Sequence, residues 1–380
     1  MESVAVVGAG ISGLLAAYYI SRKSPHSLVN VYEARSYIGK THCTGLISTE
    51  TLSRIPSAKE CVLGRYSSVK IFIPEIKTSV DIVFKNRGFV RIDRVELEKK
   101  LHSELLSIGV DVFCGNPVYS LSFTNRKWLI HSKLRGTRSY DLLVLASGYN
   151  RKLAEAAGLR FKADILSGVQ VELEAESKLP IGGDSVLTVL SRYFGGGFAW
   201  VVPSGDRRVV IGCATDSKVM ESFKCLNTAL ALVAKMSGGF RVLTKPYGGV
   251  VLRGYPITSY SDKAMGLGDC VAMVKSVSGG GLYAISIASK LAPVFASGEH
   301  YLLNSLKILS RELRRHYYIA KAISAFLRVA EAAGLRRKHL EVVAEGVNYD
   351  DHQLLLLKIL ANRDVFAELV KTKSIDIKSK

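Results

Sequence analysis

The period of hydrophobic positions changes several times along the 380-residue chain, and each change predicts an element. Residues 3 to 7 (SVAVV) are an uninterrupted apolar run, the pattern of a strand buried on both faces. Residues 12 to 22 follow as a helix, and 28 to 32 are a second apolar run ending at Glu33, so the opening reads as a βαβ unit. In 68–84 (SVKIFIPEIKTSVDIVF), β-branched runs divided by Pro74 predict a hairpin. The stretch 93–109 (DRVELEKKLHSELLSIG) predicts an amphipathic helix that stops at Ser107 to Gly109. Short strands are expected at 110–115, 118–123 and 127–133, and 140–148 (YDLLVLASG) is a continuous apolar strand ending in a small-residue turn; these join the first unit.

From about 165 to 255 the pattern becomes β-rich (GVQVELEAE, SVLTVLSRYF, FAWVVPS, RRVVIGCAT) around one helix near 220–236, which predicts an inserted antiparallel sheet. Residues 264–292 return to strand, glycine loop and helix, and everything beyond 300 reads as helical. The expected organisation is a discontinuous nucleotide-binding domain (1–60, 88–160 and 256–300), a substrate-bearing β-sheet domain (61–87 and 161–255) and a helical C-terminal region (301–380).

Composition narrows the setting. The longest apolar segments are broken by Lys290, Lys358 and Arg363 before reaching the ~20 residues of a spanning helix, so no transmembrane segment is expected. Six scattered cysteines without a C-x-x-C pair indicate neither a disulfide framework nor a metal site, and suggest a reducing, cytoplasmic compartment. A net charge of +19 asks for an anionic partner. Basic residues are dispersed apart from RELRRH and LRRKH, which favours peripheral contact with an anionic membrane surface over nucleic acid, and no nucleic-acid partner is expected.

The chemistry begins at G-A-G-I-S-G, where Gly8, Gly10 and Gly13 lie between strand and helix and Glu33 follows twenty residues after the last glycine. The first glycine permits the turn, the second lets the backbone approach a pyrophosphate, the third allows close helix packing, and Glu33 can bind ribose hydroxyls. Near the other end, Asp269 follows a strand and three glycines open a helix. That is either an ordinary strand-to-helix connection or the second half of a site for one long cofactor. Without a second G-x-G-x-x-G, one long cofactor is favoured, and FAD fits: a distant carboxylate can hold the ribityl chain and a helix N-terminus can face the isoalloxazine. Cys43, in KTHCTGLIS, reads alone as a small buried residue or as a chemical group.

The glycine unit with Glu33 and Arg35, the Cys43 turn, IDRVELEKKL, LVLASGYNR, FAWVVP and Gly268-Asp269 together resemble the geranylgeranyl reductase branch of the flavoproteins with the p-hydroxybenzoate hydroxylase (GR2-type) fold. The resemblance implies an α/β chain with an FAD-binding Rossmann-like domain, an inserted antiparallel β-sheet substrate domain and C-terminal helices. It implies that Gly8, Gly10, Ser12 and Gly13 hold the pyrophosphate and Glu33 the ribose, with Arg35 and Arg94 also on FAD and Val118 lining the adenine pocket. Asp269, Gly281 and Leu282 would hold the ribityl and ring system, joined by Gly148, Gly268 and Gly280, while Cys43, Thr44, Gly45 and Leu46 lie against the flavin ring where substrate arrives.

The family's substrate signature, P-x-x-Y-x-W-x-F-P followed by G-x-G, is altered here: Trp200 and Pro203 are kept, while Gly195, Phe198, Val202 and Ala214 replace the proline, tyrosine, phenylalanine and last glycine. The implied reaction is reduction of isolated C=C bonds in a polyprenyl lipid, with Trp200 and Phe198 stabilising positive charge on the alkene. Cys43 or an ordered water would give the proton, with Tyr193 and Tyr283 as further candidates. An external donor, ferredoxin or NADPH, would supply electrons. The alternatives are an aromatic-ring monooxygenase of the same fold, against which Ser147-Gly148 departs from the usual Asp-Gly turn, a reductase of a quinone side chain, and a cyclase-like protein with structural FAD.

Overall fold

The strand Ser3–Val7 lies in a six-stranded sheet ordered Tyr260–Ser261, Ala264–Gly266, Leu142–Leu145, Ser3–Val7, Leu28–Tyr32 and Asp111–Phe113. In this computed structural model, residues 2–39, 43–85, 88–194, 197–216, 219–261, 263–297, 303–330 and 339–361 are described. Ser3–Val7 pairs in parallel with Leu28–Tyr32 and Leu142–Leu145. Val4, Ala5 and Val6 are fully buried, which is why the run is continuous rather than alternating. Helix Ile11–Lys23 buries Leu14, Leu15, Ala16, Ala17 and Ile20 in the same core. That packing depends on Gly13, where a Cβ would lie 1.8 Å from the Gly8 carbonyl oxygen. Gly8 itself has φ +106°, and a Cβ there would lie 2.2 Å from the Ala146 oxygen.

Nine described strands form the second sheet. Period-2 alternation sorts its faces. Ala199, Val201, Val209, Ile211 and Cys213 pack with Leu226, Ala229 and Val233 of helix Val219–Ser237 on one side. Trp200, Val202 and Val210 point to the other, toward Val69, Ile71 and Ile82 of the Ser68–Ile73/Thr78–Val83 hairpin. The expected antiparallel pairing describes most neighbours, but Ser185–Val189 runs parallel to Ser68–Ile73 and His339–Val343 parallel to Thr78–Val83. These partners are far apart in sequence, so no tight turn forces antiparallel registry.

The wholly helical reading beyond 300 is corrected by His339–Val343. Helices Leu303–Ala330 and His352–Ala361 are present, but five residues between them form a strand whose Val342 is buried in the same core cluster as Ile82 and Phe84. The period was misread because so short an apolar run does not separate strand from helix. The twelve-residue strand Tyr247–Thr258 also escaped the pattern, since its glycines and proline lower strand propensity. Among the described residues no helix is long and apolar enough to cross a membrane.

Candidate active site

One cavity of about 630 Å³ is lined by residues of both the six-stranded and the nine-stranded sheet. It brings together Gly8, Gly10, Ser12, Glu33, Arg35, Cys43, Thr44, Gly45, Arg94, Val118, Gly148, Phe198, Trp200, Asp269, Gly280, Gly281 and Leu282. Two expected cofactor residues, Gly13 and Gly268, shape its wall instead of facing it. Gly13 meets the Gly8 carbonyl, and Gly268, at φ +72°, would place a Cβ 2.4 Å from Ser12 Oγ, so its hydrogen lets the turn after Ala264–Gly266 abut the first helix.

At the nucleotide end the Glu33 carboxylate is 7% exposed and accepts the amides of Ala9 (2.8 Å) and Arg35 (2.9 Å). Each oxygen keeps a further lone pair for a hydroxyl. Gly10 caps helix Ile11–Lys23 without a side-chain hydrogen bond, and nothing lies within 4 Å of where its Cβ would stand. The positive end of a thirteen-residue helix therefore faces open cavity. Arg94 sits in the first turn of helix Arg94–Ser107, whose amides of Val95 and Glu96 are capped by Asp93. Its Nη2 donates to Glu98 Oε1 at 2.7 Å, and the guanidinium also contacts Cys43. A buried carboxylate, an uncapped glycine turn and a distant glycine loop, with Arg35 and Arg94 on the same cavity, fit FAD and its two phosphates.

Cys43 is exposed on the cavity wall, the Gly45 amide donates to its sulfur at 3.4 Å, and the adjacent Thr44 hydroxyl donates to Gln170 Oε1 at 2.8 Å. Beyond this turn the cavity becomes apolar, lined by Val69, Ile71, Ile82, Phe84 and Val186 with Phe198 and Trp200. The two aromatic rings stand 5.5 Å apart. Trp200 pairs across the sheet with Gly212, where a Cβ would lie 2.3 Å from indole Cζ2. The first glycine of the altered G-x-G thus makes room for the tryptophan. Gly195 lies outside the described residues. Tyr283 lines the cavity, whereas Tyr193 is 74% exposed and lies outside it, because the short turn Arg192–Phe194 buries Phe194 instead. Tyr193 is therefore withdrawn as a proton donor.

Sequence reasoning missed a buried ion pair on this wall. Lys275 and Asp350 are 3% and 4% exposed and bond directly. Asp350 also accepts from the hydroxyls of Ser48 and Thr51. The Lys275 ammonium stands 5.4 Å from the Tyr283 ring and 5.5 Å from that of Tyr349, which stacks on Phe89 at 4.1 Å. Burial pushes both phenols well above their ordinary range, so they keep their protons. Burial likewise lowers His352, which is neutral. The signal in the sequence was a lysine set in an apolar stretch just before the glycine loop. Arg253, Ile319, Ile323 and Ser324 form a further wall that no motif announced.

Fold and cavity define the class: a Rossmann-like nucleotide-binding unit joined to a second, nine-stranded sheet. The model of the NAD(P)-binding Rossmann-like domain matches residues 6–54. Within the class the chain is similar to digeranylgeranylglycerophospholipid reductase 2 of Methanopyrus kandleri, 24% identical over 314 residues (76% of this chain, 75% of the relative). It is similarly related to digeranylgeranylglycerophospholipid reductase of Methanosarcina mazei, 25% identical over 305 residues (76% and 73%). The fold matches a geranylgeranyl bacteriochlorophyll reductase-like protein from Thermoplasma acidophilum with TM-score 0.77 and 18% identity, covering 98% of this chain and 100% of that one. The flavin-dependent halogenase CmlS follows with TM-score 0.67 and 16% identity (96% and 71%). The resemblance to geranylgeranyl reductases is thus found in both sequence and fold.

Proposed function

We propose that the protein is an FAD-dependent reductase that saturates isolated C=C bonds of polyprenyl chains in membrane lipids or their precursors. The observation that carries this reading is one cavity joining the glycine cradle and Cys43 to an apolar chamber with Phe198 and Trp200. The relatives named as digeranylgeranylglycerophospholipid reductases support the substrate class.

Gly8, Gly10 and Ser12 hold the pyrophosphate in this reading, with Gly13 setting the helix distance. Glu33 holds the adenosine ribose, Arg35 and Arg94 flank the phosphates, and Val118 borders the adenine. Asp269, Gly280, Gly281 and Leu282 hold the ribityl and ring end, with Gly148 and Gly268 shaping the turns between. When bound and reduced, FAD supplies the hydride. Cys43, Thr44 and Gly45 orient the alkene at the ring end. Phe198 and Trp200 exclude water and present π faces to the carbon on which positive charge develops. Cys43 Sγ, or a water held beside it, supplies the proton to the other carbon. An external redox partner restores the reduced cofactor, and the site works at the cytoplasmic membrane surface.

Anaerobic mixing of the photoreduced protein with a geranylgeranyl lipid tests this. The expected result is loss of the reduced-flavin spectrum together with lipid mass gains of two hydrogens per bond. Reoxidation by oxygen alone would instead favour the aromatic monooxygenase.

A further inference from the structure

Arg253 lies in the strand Tyr247–Thr258, is 8% exposed and lines the cavity. Asp164 stands directly opposite it across the sheet and would be its natural ion partner. That carboxylate is engaged elsewhere: Oδ2 pairs with Lys321 at 2.7 Å and Oδ1 accepts from the Tyr317 hydroxyl at 3.5 Å. Among the described residues Arg253 forms no ion pair. Its Nε is buried without a partner, and its only hydrogen bond is a long one from Nη1 to Ser324 Oγ, at 3.4 Å. A guanidinium stays charged even here; Asp164 and Asp216 attract it without bonding to it, and burying a charge with no direct partner is costly. The missing component is an anion that enters by the cavity. One side chain away along the strand, Val251 reaches within 3.0 Å of where a Cβ on Gly279 would stand, so Arg253 is close in the chain to the wall of the glycine loop. Ile319, Ala320 and Ile323 of the neighbouring helix supply apolar surface around it. A lone buried guanidinium in a greasy wall suits an amphiphile with one anionic end.

We propose that Arg253, with Ser324, is the subsite for the phosphate of a polyprenyl substrate, either a prenyl diphosphate or a glycerophosphate lipid. This rests on the reading of the cavity as a prenyl site and adds the group that fixes which end of the lipid stays outside the reaction zone. Planar, bidentate donation to phosphate oxygens is what a guanidinium provides and a lysine does not.

The test is equilibrium binding to the FAD-loaded full chain, followed by calorimetry, of geranylgeranyl diphosphate, a geranylgeranyl glycerophosphate ether lipid, geranylgeraniol and inorganic phosphate. Wild-type protein is expected to bind at least one phosphorylated lipid about 10- to 100-fold more tightly than the alcohol. Arg253→Met should erase that margin while leaving the alcohol's Kd unchanged, and Arg253→Lys should keep part of it. Inorganic phosphate should raise the melting temperature of wild type and not of Arg253→Met, which without ligand should melt no lower than wild type because a buried charge without a direct partner is gone. Preference for the diphosphate or for the glycerophosphate identifies the source. Equal affinity for alcohol and phosphorylated lipids in wild type, or equal losses for both in Arg253→Met, overturns the subsite and leaves the prenyl cavity standing. Failure of geranylgeraniol and of both phosphorylated lipids to bind wild type overturns the prenyl reading itself, and this inference with it.

Discussion

Lys275 and Asp350 are joined across 75 positions of chain, and no local pattern could have paired them. Burial alone would raise the Asp350 carboxyl, but the Lys275 ammonium and the Ser48 and Thr51 hydroxyls outweigh it and hold it below the usual carboxylate range. A carboxyl depressed in the folded state stabilises above the unfolded value near pH 4 and loses that contribution as pH falls through its folded value. Asp350→Asn should therefore flatten the acid limb of the stability curve measured by urea unfolding. Lys275→Met alone should cost about 3–5 kcal/mol by stranding a buried carboxylate, and adding Asp350→Leu should recover most of it. If the double variant is no more stable than Lys275→Met alone, the pair is not energetically coupled. Trp200 is the opposite case, legible because it alternates with Ala199 and Val201 in a regular strand. Its partner Gly212 became explicable only in three dimensions, and Gly212→Val should cost about 1–3 kcal/mol by overpacking while shifting tryptophan emission.

At the scale of elements, the opening βαβ unit was legible because spacing, apolar runs and glycines all agree there. The same turn offers a sharp contrast. Gly13 faces backbone and Gly10 faces space, although both belong to one motif. Gly10, at φ −73°, has a backbone that alanine adopts freely. Gly10→Ala should fold with an unchanged melting temperature yet purify with little flavin, because its methyl occupies the approach path of the pyrophosphate. Gly13→Ala should lower the melting temperature itself, since strand and helix must separate. Flavin absorbance per protein and differential scanning calorimetry on both variants check this, and retention of full flavin by Gly10→Ala would remove the turn from the cofactor site. The apolar chamber was less legible. Its hairpin was visible as a hairpin, but its place beside Ser185–Val189 depends on a parallel junction between segments more than a hundred residues apart, which no periodicity encodes. The strand His339–Val343 joins the hairpin's other edge, along Thr78–Val83, by an equally distant parallel pairing.

Over the whole molecule, the net charge of +19 has no counterpart inside the cavity, where Glu33, Glu98, Asp269 and Asp350 face Arg35, Arg94, Lys275 and Arg253. The excess therefore resides mainly on the surface, where it cannot select a prenyl chain but can concentrate the protein at an anionic leaflet. Such attraction is long-ranged and screened, with a Debye length of about 10 Å at 0.1 M salt and about 3 Å at 1 M. Insertion of an apolar anchor would respond in the other direction, since salt does not weaken hydrophobic burial. Vesicles containing anionic phospholipid should consequently float with the protein at low salt and release it at 1 M, while neutral vesicles should not capture it under either condition. Capture that ignores lipid charge and survives high salt would assign membrane contact to exposed apolar side chains such as Ile308 and Leu357 of the C-terminal helices instead of to the basic surface. If the substrate is a bilayer lipid whose tail reaches Trp200, surface attraction can raise the encounter rate without fixing affinity, and salt should change apparent KM for vesicle-borne substrate far more than kcat.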